Sequence, residues 1–150
     1  MPIKRRDLLR QLTAGAMLST VASSGRGADG SSRPRIKIGQ IGVGHAHATK
    51  LSVYRASPDY EVVGIVEPSE ERRRQAGGQA AYRDLPWMTR EQLLSTPGLE
   101  AVLVETEVRD LLDNAEAAIA AGKHVHLDKP AGESLTQFER ILNAAKQQNL

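Results

Sequence analysis

Ile36-Lys37-Ile38-Gly39-Gln40-Ile41-Gly42-Val43-Gly44-His45-Ala46-His47 decides how the rest of this chain is read. A short β-branched run, Ile36–Gly42, leads into a glycine turn and then into a stretch with helical character, His45–Ala56, which Pro58 ends. Gly42 and Gly44 fit the first two roles of a G-x-G-x-x-G turn: a sharp bend, and close approach of the backbone to a pyrophosphate. His47 stands where the third glycine permits tight packing of helix on strand, so a slightly looser turn is expected. Amides at the start of the following helix would then face the phosphates, aided by the helix dipole.

Outward from the turn, apolar runs and helical stretches alternate. Glu61–Glu67 reads as the second strand, Ser69–Gly77 as a charged helix, and Ala80–Tyr82 as a short edge strand. Thr89 with Gln92 three positions on forms a capping box for a helix that Pro97-Gly98 ends. Ala101–Glu105 is strand-like, Leu111–Ala121 is an alanine-rich helix with Gly122 as its C-cap, and His124–Leu127 is another strand. Ser134, with Gln137 three on, caps a last helix reaching Gln147. This order predicts an α/β fold: a doubly wound parallel sheet with near-continuous Val, Ile and Leu in strands covered on both faces. The pattern stops after its last helix, where another strand is expected, so the sheet is expected to be incomplete.

Glu67 follows Gly42 by 25 positions, near the ~20 at which a carboxylate binds the adenosine ribose diol. A carboxylate there repels a 2′-phosphate and favours NAD over NADP. Together with strand, turn and helix in order, it makes the glycine pattern far more specific than the pattern alone.

Bulk properties exclude several alternatives. The 150 residues have room for one domain with a modest core, and absence of cysteine removes disulfides, thiolate nucleophiles and cysteine-based zinc sites. The basic pI of 9.1 comes from the N-terminus. Residues 1–28 hold five basic residues against Asp7 alone, so of the overall +2 they carry +4 and residues 29–150 carry −2. The folded part thus has no evident nucleic-acid face, and the chain has no P-loop or nucleophile elbow.

Lys4-Arg5-Arg6 followed by the weakly apolar run Gln11–Ala22 reads as an export signal of twin-arginine type, with cleavage after either Ala22 or Ala28. The run falls short of the ~20 residues that span a bilayer, so no stable membrane span is expected. Residues 1–28 are thus assigned as leader, 29–34 as linker and 35–150 as the nucleotide-binding domain, which points to a periplasmic or secreted protein.

Ile38–Gly44, Glu61–Glu67 and above all Ala121-Gly-Lys-His-Val-His-Leu-Asp-Lys-Pro130 resemble the glucose–fructose oxidoreductase/inositol dehydrogenase (Gfo/Idh/MocA) family over residues 35–150. The resemblance implies a Rossmann NAD(P)-binding domain, normally followed by an α/β substrate domain, which is expected to be lacking from these 150 residues. It also implies hydride exchange between NAD and a carbon of a sugar or cyclitol, and an assembly that is a homo-oligomer if a longer chain exists. Lys129 matches the family lysine beside nicotinamide and substrate. Asp128 replaces the family glutamate, and Thr106-Glu107-Val108 stands where the family often has T-P-N.

The cofactor-binding set read on these grounds is Gly42, Val43, Gly44, His45, His47, Glu67, Thr106, Asp128 and Lys129, with Lys129 as the catalytic residue. An ammonium just before Pro130, at the carboxyl edge of the sheet, can orient a substrate hydroxyl and lower its pKa. His45-Ala-His47 and His124-Val-His126 have metal-ligand spacing, but no spaced carboxylate completes a third ligand, so no metal is assigned. His45 and His47 are instead placed at the phosphate or nicotinamide, and His124 and His126 at the strand edge. Glu105, Glu107, Asp110 and Asp113 are read as acids favoured by a helix start. Two rival functions stay open: an NAD-dependent glycoside hydrolase of the same family, and a non-catalytic nucleotide-binding module or truncated product.

Overall fold

The computed structural model describes residues 33–150; the leader assigned above and most of the linker lie outside the described residues. Five strands, β1 (Ile36–Ile41), β2 (Tyr60–Val66), β3 (Trp87–Met88), β4 (Leu99–Val104) and β5 (His124–Leu127), form one sheet. All are parallel, in the order β3-β2-β1-β4-β5. The order reverses between β1 and β4, which share the centre of the sheet. This is the doubly wound α/β sheet expected from the alternating pattern. Among the described residues, no helix is long and apolar enough to cross a membrane.

Helices α1 (Leu51–Ala56), α2 (Glu70–Gly77), α3 (Arg90–Leu94), α4 (Val108–Ala120) and α5 (Leu135–Gln147) connect or follow the strands. One core joins Ile41, Val102 and Val104 of the sheet with Leu111, Ala115 and Ile119 of α4 and Ile141 of α5. A second joins Ile38, Ile65 and Leu103 with Leu51 of α1, Ala76 of α2 and Tyr82. Two cores on opposite faces explain why the central strands read as unbroken apolar runs.

Local signals written in short spacings are present as hydrogen bonds. Thr89 and Gln92 cap α3 reciprocally, and Ser69 and Ser134 accept from the amides of Arg72 and Gln137. At the end of α4, Ala121 is the cap and Gly122 lies one position beyond, at φ 71°. Gly122 donates to Ile119 O and Lys123 to Ala118 O, closing a Schellman turn that glycine's left-handed backbone permits.

Two expectations are corrected. Ala80–Tyr82 is a turn, and the edge strand is Trp87–Met88, paired with Ile65 and Val66. The apolar look of Ala81 and Tyr82 arises because both are buried in the second core. The helix expected from His45 begins later, as a single 3-10 turn at Ala48–Lys50 followed by α1. His45 N–H donates to Glu105 O and His47 N–H to His45 Nδ1, which holds residues 45–47 out of helical pairing. The amides of α1 therefore do not sit at the glycine turn.

Candidate functional site

The carboxyl ends of the strands build two adjacent regions. In the first, Gly42 follows β1 at φ 88°, a backbone state L-residues rarely adopt. A Cβ here would lie 2.6–2.7 Å from Thr106 Cγ2, Cα and N, so the turn packs directly on the segment after β4. Gly42 N–H donates to Val66 O and Glu105 N–H to Ile41 O, both at 2.7 Å, which ties three strand ends together. Gly44 faces the cleft; its missing Cβ would stand 3.4 Å from Glu107 Cγ and 3.9 Å from Arg72 Cζ. Arg72 pairs with Glu107 above it, and Arg109 reaches the same carboxylate at 2.5 Å.

Glu67 ends β2 and is only 3% exposed. It accepts from Val43 N–H at 3.2 Å and Ser69 N–H at 2.9 Å, while Arg72 lies 3.8 Å away. The carboxylate thus braces the glycine turn from below, a role that spacing alone did not show. Ile41, Gly44, Glu67, Arg72, Thr106 and Glu107 border a cleft of about 650 Å³ at the reversal between β1 and β4, the position where open parallel sheets bind ligands. Backbone space at two glycines, a buried acid at the end of β2 and a cleft of ligand size fit a dinucleotide.

The second region lies on the other side of the same loop. His45 Nε2 is 3.1 Å from Lys129 O, so this nitrogen carries the proton and Nδ1 presents its lone pair inward. Nδ1 lies 3.5 Å from Asp128 Oδ2 and 3.6 Å from Glu105 Oε2. His47 Nδ1 is 3.3 Å from both Asp128 oxygens. Lys50 Nζ approaches Asp128 Oδ2 at 2.5 Å, Glu105 Oε1 at 2.7 Å and His126 Nε2 at 2.8 Å. Burial pushes the Asp128 carboxyl up, but hydrogen bonds from Lys50, Lys129 N–H and His47 outweigh it and hold the pKa well below the usual carboxylate range. Burial raises the pKa of Glu105 despite Lys50.

Of the sequence-assigned residues, Gly42, Val43, Gly44, Glu67 and Thr106 gather at the first region, and His45, His47 and Asp128 at the second. Lys129 lines a neighbouring cleft of about 690 Å³ with His47, Lys50, His126 and Asp128. Its backbone is fixed on both sides, by Asp128 Oδ1 at its N–H and His45 at its carbonyl. Sequence reasoning missed Lys50, and it misread Glu105. Glu107 is the N-cap of α4, but Glu105 is fully buried among His45 and Lys50. His126, assigned to the strand edge, meets Lys50 as well. The signal was there: β2, β4 and β5 are each followed directly by an acid, Glu67, Glu105 and Asp128, and all three are buried.

Residues 36–150 match the oxidoreductase family with NAD-binding Rossmann fold, GFO_IDH_MocA. The chain belongs to that family. It is 28% identical over 115 residues to the uncharacterized oxidoreductase YdgJ of Escherichia coli, covering 74% of this chain and 31% of that protein. The crystal structure of an NAD-binding protein from Listeria innocua superposes with TM-score 0.66 at 25% identity, over 77% of this chain and 34% of that one. KijD10, a 3-ketoreductase from Actinomadura kijaniata solved with TDP-benzene and NADP, superposes with TM-score 0.65 at 26% identity, over 78% and 37%. The chain spans about a third of the length of these relatives. Within the family this domain binds NAD, and relatives solved with NADP leave both nucleotides compatible with the fold.

Proposed function

We propose that this domain is the nucleotide-binding portion of an exported oxidoreductase that moves hydride between NAD and a hydroxyl-bearing carbon of a sugar or cyclitol. The observation that carries the reading is Gly42 packed on Thr106, with Gly44 open to the cleft and Glu67 buried beneath the turn. Gly44 offers its backbone to the diphosphate, and the Glu67 charge disfavours a 2′-phosphate. Arg72 supplies a guanidinium at the mouth, where exchanging Glu107 for phosphate costs it no charge pairing. The bound nicotinamide supplies the hydride acceptor. Lys129, from a backbone held by His45 and Asp128, orients the substrate hydroxyl. As the neutral amine it takes the hydroxyl proton when hydride leaves the carbon, and as the ammonium it returns it in the reverse direction. Support for export is the Lys4-Arg5-Arg6 leader with its apolar run.

The test has two parts. NAD is titrated into the chain by calorimetry, and turnover of sugars and cyclitols is followed by NADH absorbance in a longer polypeptide carrying this domain. There, Lys129→Ala lowers kcat by about 100-fold, the scale of a lost acid–base group, and leaves NAD affinity within about twofold. Unchanged turnover removes Lys129 from the chemistry.

A further inference from the structure

The histidine–carboxylate cluster lies across the loop from the glycine turn, and its geometry points to a ligand of its own. Sequence spacing gave His45 and His47 no third ligand; the fold supplies Asp128, 81 positions beyond His47. His47 Nδ1 lies 3.3 Å from Asp128 and His45 Nδ1 lies 3.5 Å from it. Ligand atoms about 2.0–2.1 Å from a tetrahedral zinc-class ion are separated by about 3.3 Å, so both spacings are tetrahedral edges. The tautomer is also set: donation from His45 Nε2 to Lys129 O leaves Nδ1 as the metal-ready nitrogen, the arrangement that carbonyl partners impose on metal-binding histidines.

Electrostatics supply an independent observation. His45 Nδ1 accepts the His47 N–H at 3.3 Å and also lies 3.5 Å from Asp128 and 3.6 Å from Glu105, a concentration of acceptor atoms that a cation would stabilise. Glu105 is fully buried; Lys50 Nζ pairs with Oε1 at 2.7 Å, and Oε2 receives no hydrogen bond. Glu105 Oε2, on the side of His45 Nδ1, points into the cluster without a partner.

We propose that His45 Nδ1, His47 Nδ1 and Asp128 bind a divalent ion of the zinc class, with Glu105 as the buried counter-charge behind it. Lys50 is its internal competitor: it holds Asp128 in the free protein and yields that carboxylate when the ion binds. Three protein ligands leave a coordination position for water or a substrate oxygen, on the side of the cleft that His47, Asp128 and Lys129 line. The inference does not depend on nicotinamide chemistry and holds or fails separately from it.

The test uses the whole chain, stripped of metal and titrated calorimetrically with Zn²⁺ alone, and with Co²⁺ to read four-coordinate binding by visible absorption. One ion per chain is expected. His47 is half exposed, so His47→Ala keeps the fold and should weaken Zn²⁺ affinity by about 100-fold. His124→Ala, on the same strand as His126 but outside the cluster, should change nothing. Lys50→Met, if folded, should bind about tenfold more tightly because the competing ammonium is gone. Absence of saturable uptake by folded protein overturns the proposal, as does binding that survives His47→Ala or is lost in His124→Ala. Weaker binding in Lys50→Met overturns the displacement by Lys50.

Discussion

The glycine turn and the histidine cluster share one loop, residues 42–50, and one strand end, yet are built from opposite materials. The first is made of space and backbone: Gly42 and Gly44 omit side chains, and Glu67 serves amides. The second is made of charge, with Lys50 spread across two buried carboxylates. Adjacent residues after β4 serve the two sides, Glu105 in the cluster and Thr106 against Gly42. One region should therefore fail when volume is added, and the other when charge is removed.

The sharpest break is Gly42→Ala. Its Cβ meets backbone atoms at 2.7 Å in a left-handed conformation, so a cost of about 2–4 kcal/mol in urea denaturation is expected, with loss of NAD binding. Next comes Lys50→Met, which leaves Glu105 and Asp128 without their ammonium. Lys50 keeps a quarter of its side chain in solvent, so the expected loss is about 2–3 kcal/mol, below the full cost of an unpaired buried charge; added Zn²⁺ should recover it. Glu67→Gln keeps an acceptor for only one of the amides of Val43 and Ser69, which use different oxygens, and drops the charge. It should weaken NAD about tenfold, or about 1.4 kcal/mol, with stability falling by about 1 kcal/mol.

Away from both regions, Glu116 binds Arg140 through two hydrogen bonds of 2.8 and 3.0 Å between α4 and α5. Arg140, then Gln137, hold its carboxyl below the usual value. A depressed carboxylate contributes stability above its unfolded pKa and loses it as pH falls through the folded value. Glu116→Gln should therefore cost about 0.5 kcal/mol at pH 7. The difference from the unmodified chain should shrink as pH falls below the usual carboxylate range, read from urea midpoints.

The same contrast governs what the sequence disclosed. A backbone requirement leaves a local mark: Gly42-Val-Gly44 are two positions apart, and the caps Thr89–Gln92 and Ser134–Gln137 are three. Strands with both faces covered announce themselves as apolar runs. The cluster has no such mark, because positions 45, 47, 50, 105, 126 and 128 meet only after parallel strands bring their ends together. Glu105 resembled the helix-start acid that Glu107 is. The start of α1 was misplaced because residues 45–47 form a turn tied by His45 N–H to Glu105 O, a long-range partner that no local spacing shows. Two residues suffice for β3, too few for any periodicity to show.

The central claim is that the turn at Gly42–Gly44 is shaped for a diphosphate. Gly44 is the position that tests it without disturbing the fold, since an added Cβ comes no closer than 3.4 Å to any neighbour, the nearest being Glu107 Cγ, and stands in the path of the ligand. Calorimetric titration with NAD should show one saturable site in the unmodified chain and at least about tenfold weaker binding in folded Gly44→Ala, as close backbone approach requires. No saturable heat from correctly folded protein, or equal affinity in Gly44→Ala, would contradict the account.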